Sequence, residues 1–527
     1  MKKYIASGMI LLWGAMSFAQ GSLDPVVIPD ATARKISTDG KWVCCYGTTI
    51  VVYNVDNQST YLYPECSIGK GNCIAADGTV VGSRDDYSVV MKDGEIIELP
   101  VFERYGFSGI NGINSAGTMV TGYVQNPVLQ DGSIVDPFDE GVTVFVPITA
   151  DITPEGNIEK INFLPYPDKD FLGFAPMYVT GEWISDDGKT ILATMTDSYG
   201  RFEDPIVYRQ GPDGKWSYST PTKEFSNPEG IVLPENPWNL FPDEPNLKDY
   251  MTPLEYQAYS LAMEKFLFNG GPEPNLYDYM TEEMAQKYIE DYRAYENYFY
   301  DHKDEIDAYE NAYREILQTS LYFRDSAMDP QGAFFASSAV GYNDEGTNAP
   351  SHVMIFNTQT GEYTSLDSQY SELKIHQILS DGTVLAYTGL FTYEVLKGYI
   401  LLPGATDFIP FADYLYTVNE GYAKWLDDTF PKGEGIISAS DDLSVVAGGV
   451  DILAALDENM FPNSIMLTYV FPVMKSSGVE SIEIPEEDGS YKVYNLMGVK
   501  VLETKEKSEI NNLGKGIYVV NGKKIAI

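Results

Sequence analysis

The chain has 527 residues, is 44% hydrophobic and 13% aromatic, and carries a formal net charge of −42. Such acidity excludes a nucleic-acid role, because phosphate contacts need clustered Lys and Arg, and it equally excludes an anionic membrane surface. The length is too great for one ordinary domain unless that domain is repetitive.

At the N-terminus, Lys2 and Lys3 precede an apolar stretch from Tyr4 to Phe18, and small residues follow at Ala19–Gln20–Gly21. This order predicts a signal peptide over residues 1–20. The stretch is short for a bilayer span, and Gly8 and Gly14 weaken it further. No cysteine follows it directly, so a lipid anchor is not expected. A short β-prone segment, Val26–Val27–Ile28, comes next.

A ten-residue pattern then recurs: apolar, small polar, any, Asp, Gly, two variable, apolar, any, small. Its copies begin at Ile36 ("ISTDGKWVCCY"), Ile74 ("IAADGTVVGS"), Ile113 ("INSAGTMVTG"), Ile184 ("ISDDGKTILA"), Met328 ("MDPQGAFFAS"), Ile378 ("ILSDGTVLAY") and Ala439 ("ASDDLSVVAG"). The first residue ends a strand, the polar residues turn the chain, and Gly takes the positive φ the turn needs. The β-branched residues after it re-enter a sheet. In the last copy Leu443 stands in the Gly slot, a cost unless Asp442 takes the strained conformation instead.

A second hairpin follows most copies, as at 88–100 around Asp93-Gly94 and at 204–221 around Asp213-Gly214. The unit is therefore four antiparallel strands in about 40 residues, the period of a propeller blade. The fold class expected is all-β: a β-propeller of about seven four-stranded blades spanning residues 21–475. The seventh unit lacks its fourth strand, and Val26–Val27–Ile28 is expected to supply it and tie the ring shut. The stretches at 74–100 and 113–124 resemble the bacterial extracellular HAF repeats, in which Ile-Asn-x-x-Gly-x-Val-Val-Gly precedes an apolar strand. That resemblance implies an exported β-propeller and no activity.

Four cysteines cluster early, at Cys44, Cys45, Cys66 and Cys73. Cys44 and Cys45 are neighbours on a predicted strand and point to opposite faces. One disulfide between this pair and Cys66 or Cys73 is expected in an exported chain. Zinc is not, because the spacing fits no common site and no histidine lies nearby.

Residues 222–327 interrupt the repeats with a Pro- and Asn-rich loop and a helical insertion. "TPLE" at 252–255 predicts a helix start, with Thr252 as cap, Pro253 first and Glu255 reaching back. That helix should stop at Asn269–Gly270–Gly271–Pro272. Thr281 should cap a second helix, roughly 50 Å long at about 1.5 Å per residue. Its stripe runs through Met284, Tyr288, Tyr292, Tyr295, Phe299, His302, Ile306, Tyr309, Tyr313 and Ile316. The stripe suits an aromatic surface for sugar or peptide, but packing on the first helix and the propeller is the preferred reading.

Residues 479–527 predict a separate small β-sandwich, with hairpins around Met497-Gly498 and Asn521-Gly522. This tail resembles the C-terminal sorting domain of type IX secretion substrates, through Val493–Tyr494–Asn495, Gly498, Val501, Leu513, Gly516–Ile517–Tyr518–Val519–Val520 and Lys524. The resemblance implies an outer-membrane secretion machinery as partner. It also implies a location outside the cell or on the outer-membrane surface of a bacterium.

Chemistry is sparse. His302, His352 and His376 sit in no triad or metal-ligand spacing, and each is read as structural. With 77 Asp and Glu any chosen glycosidase pair is arbitrary. "YNDEGTN" at 342–348 lacks the alternating ligands of an EF-hand loop. There is no Walker loop or dinucleotide fingerprint. No catalytic residue, metal ligand or cofactor is expected, and no ligand-binding residue is assigned. The reading is a secreted or cell-surface propeller that binds a glycan or peptide on one face, under the insertion. The alternative is a carbohydrate-active lyase or hydrolase using the same face.

Overall fold

Ser, Asp and Gly of the repeated pattern build one small device. Ser37 Oγ donates to Asp39 Oδ1 at 2.7 Å, and the amide of Trp42 donates back to Ser37 Oγ at 3.0 Å. Ser185 and Asp187 repeat this at 2.7 Å with the amide of Thr190, and Ser440 and Asp442 repeat it at 2.9 Å with that of Val445. The glycine is needed twice over. Gly332 has φ +67°, and a Cβ there would lie 2.7 Å from Cβ of Thr190 and 2.8 Å from that of Ser185, in the preceding copy. The turns of successive copies thus nest against one another. In the seventh copy Leu443 itself takes φ +56°, so the strain falls on the leucine and not on Asp442.

The computed structural model describes residues 25–526 apart from 104, 106, 126–144, 171–175, 177, 197–202, 238–243, 342–349, 390–395, 431–434, 457–461, 472–490, 496–499, 511–516 and 521–522. The expected signal peptide and the Asp-rich stretch at 342–348 lie outside the described residues. Those described are mostly β, and six of the seven repeat copies close the innermost strand of an antiparallel group, while the second follows its strand by six residues and makes an isolated bridge, Ile74↔Val80. The groups open with Ala31–Ile36, Cys66–Ile68, Ser108–Ile113, Tyr178–Ile184, Leu321–Met328, Lys374–Ile378 and Ile436–Ala439. In each, strands follow one another outward, as in Ala31–Ile36, Trp42–Gly47, Thr49–Asn54 and Thr60–Pro64. The groups opening at Ser108, Tyr178 and Leu321 are fused into one sheet by the single pairings Phe145↔Tyr178 and Glu203↔Phe323.

Each group packs on the next in chain order, and the last packs on the first, a succession that makes the fold a β-propeller. Side chains lock the joints. Asn72 donates to the carbonyl of Ile113 at 2.6 Å and to that of Ile184 at 3.1 Å, tying three groups together. At the last joint Asp441 donates its amide to Thr38 O at 2.9 Å, and Thr468 Oγ1 donates to Ala31 O at 2.9 Å. The segment Val26–Pro29 pairs with the strand Pro462–Phe471, Val26 facing Val470 and Pro29 facing Leu467. It supplies the fourth strand of the last group, as the sequence predicts.

Cys44 and Cys45 do point apart. Cys44 packs with Cys73, Ile74 and Val81 of the second group, and Cys45 with Ala447 and Val470 of the last. All four cysteines are free thiols in the structure.

Residues Asn227–Ser320 form a compact unit of their own. It is narrower than the expected 222–327. Thr222 and Ser226 donate their hydroxyls to buried Asp204 at 3.3 and 2.6 Å, and Leu321–Met328 is already an innermost strand. The helix Pro253–Asn269 carries the predicted capping box of Thr252 and Glu255, and stops at Gly270 with φ +67°. Thr281 caps the next helix as expected, but the single long helix is divided in two. The chain makes Glu282–Asp301 and Lys303–Thr319, broken at His302 (φ −112°, ψ 20°). Asp304 and Glu305 sit in the first turn of the new helix, where its N-terminal dipole favours negative charge. Of the stripe, Ile306, Tyr309 and Ile316 are buried, while Phe299 stays exposed.

In the C-terminal segment both hairpins share one antiparallel sheet, ordered Lys500–Thr504, Tyr491–Asn495, Ile517–Val520, Lys523–Ala526. The expected facing pair of sheets is not found among the described residues. The pairing Tyr494↔Val519 joins the hairpins edge to edge instead. Gly498, Leu513 and Gly516 lie outside the described residues.

Candidate functional site

The innermost strands are not regular. Register shifts leave one extra residue, Arg34 between Ala33 and Lys35, Asn111 between Ile110 and Gly112, Glu182 between Gly181 and Trp183, and His376 between Ile375 and Gln377. In the strand Leu321–Met328 the shift spans Arg324 to Ala327 and leaves Asp325 and Ser326. A bulge bends its strand and re-aims the side chain at the extra position. Arg34, Glu182, Asp325, Ser326 and His376 thereby line one cavity of about 410 Å³, with Lys70 and Glu203. Tyr46, Trp183, Phe323 and Tyr387 give it aromatic walls. Asn111 does not line it; its side-chain amide donates to Gly181 O at 3.0 Å.

The floor is held by Lys35. Its buried ammonium donates to the carbonyl of His376 at 3.0 Å and lies 4.3 Å from the centre of the Trp183 ring. Burial draws its pKa down to about 8. Trp183 Nε1 donates to Ser326 O at 3.1 Å, which fixes the indole. Ser438 Oγ donates to Arg34 O at 3.1 Å and lies 3.0 Å from His376 Nε2, so this arrangement suits Nε2–H as donor to the serine.

Charge in the cavity is mixed. Burial, then the positive Lys35 and Arg34, hold His376 well below the usual histidine range, so it is neutral at pH 7. Burial raises the Glu182 carboxyl, opposed first by Lys70. Enclosure by protein raises Asp325 too, opposed first by Lys374, and Asp325 sits at a strained φ of +48°. Tyr387 stacks edge-on against His376 at 6.2 Å, and burial pushes its pKa to about 12. A phenol so shifted is a poor base at neutral pH. The cavity offers donors, acceptors and ring faces to a polar molecule. No group of three or more metal-ligating side chains occurs among the described residues.

Of the three histidines, His376 alone lines this cavity. His302 lies at the helix break, 4.0 Å from Glu305, and His352 Nδ1 lies 2.6 Å from Asp367 Oδ1 on the neighbouring strand. The sequence reading assigned no site residue. A signal was present. The position two before each of the first six repeat copies is Arg34, Asn72, Asn111, Glu182, Ser326 and His376, all polar where an inward strand residue should be apolar, and only the seventh copy carries an apolar residue there, Ile437.

No family model matches the chain, and no curated protein does. Among solved structures it is similar to hydrazine synthase of Kuenenia stuttgartiensis, at 10% identity and TM-score 0.37, over 82% of this chain and 96% of that one. It is similar to the β-propeller domain of the trilobed protease from Pyrococcus furiosus, at 10% identity and TM-score 0.35, over 83% and 95%. It is also similar to the WD40 domain of SCAP from fission yeast, at 9% identity and TM-score 0.32, over 85% and 88%.

Proposed function

We propose that this chain is a seven-bladed β-propeller binding protein that takes a polar ligand, a glycan or peptide group, into its axial cavity. The observation that carries the reading is the convergence of bulged polar residues from separate sheets, Arg34, Glu182, Asp325 and His376, on one cavity. Bulges at equivalent places cost pairing in several sheets at once, and a common ligand would account for them. Export to the cell surface or medium, through the HAF-like repeats and the sorting-type tail, belongs to the same proposal. Under it the tail is a sorting-type domain met by an outer-membrane secretion machinery.

The second reading is a carbohydrate-active lyase or hydrolase, favoured by carboxylates and a His376–Tyr387 pair in one polar cavity. Tyr387, which stays protonated at neutral pH, and the weakened basicity of buried His376 weigh against a proton-abstracting pair, so binding is preferred.

A screen of the purified protein on glycan and peptide arrays tests the proposal. Any hit should weaken at least about tenfold in Glu182→Gln and in Asp325→Asn, the loss expected for one charge-assisted contact. A hit that binds both variants as tightly as the parent would overturn the cavity assignment. Release of a product from the hit would replace the binding reading with the enzymatic one.

A further inference from the structure

The two cysteines that face each other across the first joint are Cys44 and Cys73. Cys44 lies mid-strand in Trp42–Gly47, its neighbours paired to Val43↔Tyr53 and Cys45↔Val51. Cys73 precedes the second repeat copy, and its carbonyl accepts the amide of Val81 at 2.9 Å. Both are fully buried, in the same core cluster, and their sulfurs are hydrogen-bonded to each other. Cys45 lies on the far face of its strand, against the last group. Cys66 shares the cluster of Cys44 and Cys73 but sits at its margin, near Arg84 and Glu65, and is not among the hydrogen-bond partners of those two thiols. Of the pairings the spacing allows, the geometry selects one.

We propose that Cys44 and Cys73 are an oxidation site, and that they close into a disulfide which staples the first blade to the second. The place has a use. The first group also receives the last one, where ring closure relies on the short segment Val26–Pro29. A covalent link beside that joint keeps the first two blades registered when the closing strand frays.

The chemistry balances with a thiol-disulfide oxidant, such as oxidised glutathione or a dithiol oxidase in its disulfide form. Cys73 thiolate attacks the oxidant's disulfide and displaces one thiolate. Cys44, having lost its proton, then attacks the Cys73 sulfur and displaces the second. Two protein thiols and one reagent disulfide become one protein disulfide and two reagent thiols. Cys73 is the suited attacker, because the Cys44 hydrogen bond, and after it the nearby ammonium of Lys35, favour its thiolate. Since both sulfurs are shut off in the folded chain, closure belongs to folding.

The test is refolding of the full chain from the reduced, denatured state in a glutathione redox buffer. Remaining thiols are alkylated in denaturant, and the chain is digested without reduction and mapped by fragment-ion mass spectrometry. The expected result is a Cys44–Cys73 link, with Cys45 and Cys66 alkylated. The link should persist in C45S and C66S and vanish in C73S. Four alkylated cysteines, or a link through Cys45 or Cys66, would overturn the proposal. Because the parent chain alone reports the pairing, a variant that fails to fold leaves the test intact.

Discussion

The innermost strands have two ends, and the two ends obey different rules. At the turn end one residue type returns in most copies: Asp39, Asp77, Asp187, Asp381 and Asp442 each accept the amide two residues on, and Ser37, Ser185 and Ser440 brace three of them. Three or four residues before that turn, at the cavity end, the equivalent places hold Arg34, Glu182, Asp325 and His376. Uniformity marks the part that stacks one sheet on the next, where every copy faces the same problem. Variety marks the part where sheets meet something other than each other. On the proposed reading the strands carry assembly and recognition side by side, separated by one turn of the pleat.

The difference can be broken by substitution, and the turn end should break hardest. Gly332→Val forces a β-branched residue into φ +67° and drives its Cβ onto Thr190 and Ser185. The left-handed strain and the overpacking together should cost about 4 kcal/mol, read as a fall in the urea midpoint. A loss under about 1 kcal/mol would show that the nesting of turns is incidental.

At the cavity end the effect is smaller and depends on pH. The folded pKa of His376 lies well below the usual value, about 6.5 in the unfolded chain. As pH falls below that value the unfolded state takes up a proton that the native state refuses. Stability is thus lost with falling pH, by up to about 1.4 kcal/mol per unit, until native His376 itself titrates. His376→Asn removes this dependence. Urea unfolding at pH 7.5 and pH 5.5 should show the parent losing about 1 kcal/mol more than the variant. Glu182 and Asp325, both raised, act with the opposite sign, but in both proteins alike, so they cancel in the difference. Equal pH slopes would mean that His376 is not held neutral.

The smallest change is expected where the turn rule is already broken. Leu443 sits at φ +56° yet packs against the core around Leu426 and Phe471. Leu443→Gly relieves strain and forfeits packing, each about 1–2 kcal/mol, so the net shift should stay within about 1 kcal/mol. A loss of 3 kcal/mol or more would mean the packing far outweighs the strain.

These two ends also differed in how readable they were. The turns announce themselves through Asp-Gly and the β-branched run after it, and so does the closing segment Val26–Pro29, because the last unit is one strand short. The capping box of Thr252 and Glu255 is equally local, and it folded as written. The cavity depends on an extra residue per strand, whose cue, a polar residue two before six of the seven copies, becomes meaningful only when several strands share an axis. His376 illustrates this. As a lone histidine beside an apolar run it reads as structural, and it gains a role only beside Arg34 and Asp325, far away in sequence. The break at His302 was hidden for a related reason. The apolar stripe continues through it in phase, while the acidic Asp304 and Glu305 that start a fresh helix look like ordinary surface charge.

Asp325 is where the two rules meet most sharply, a non-glycine residue at φ +48° that lines the cavity. If the bulges serve recognition, this strain is kept for the ligand and not for the fold. The urea midpoint of Asp325→Gly against the parent decides the matter. Recognition predicts a rise, equivalent to about 1 kcal/mol, as the strain is released. A fall of similar size would show that Asp325 holds the propeller together, and would contradict the division between assembling and recognising ends.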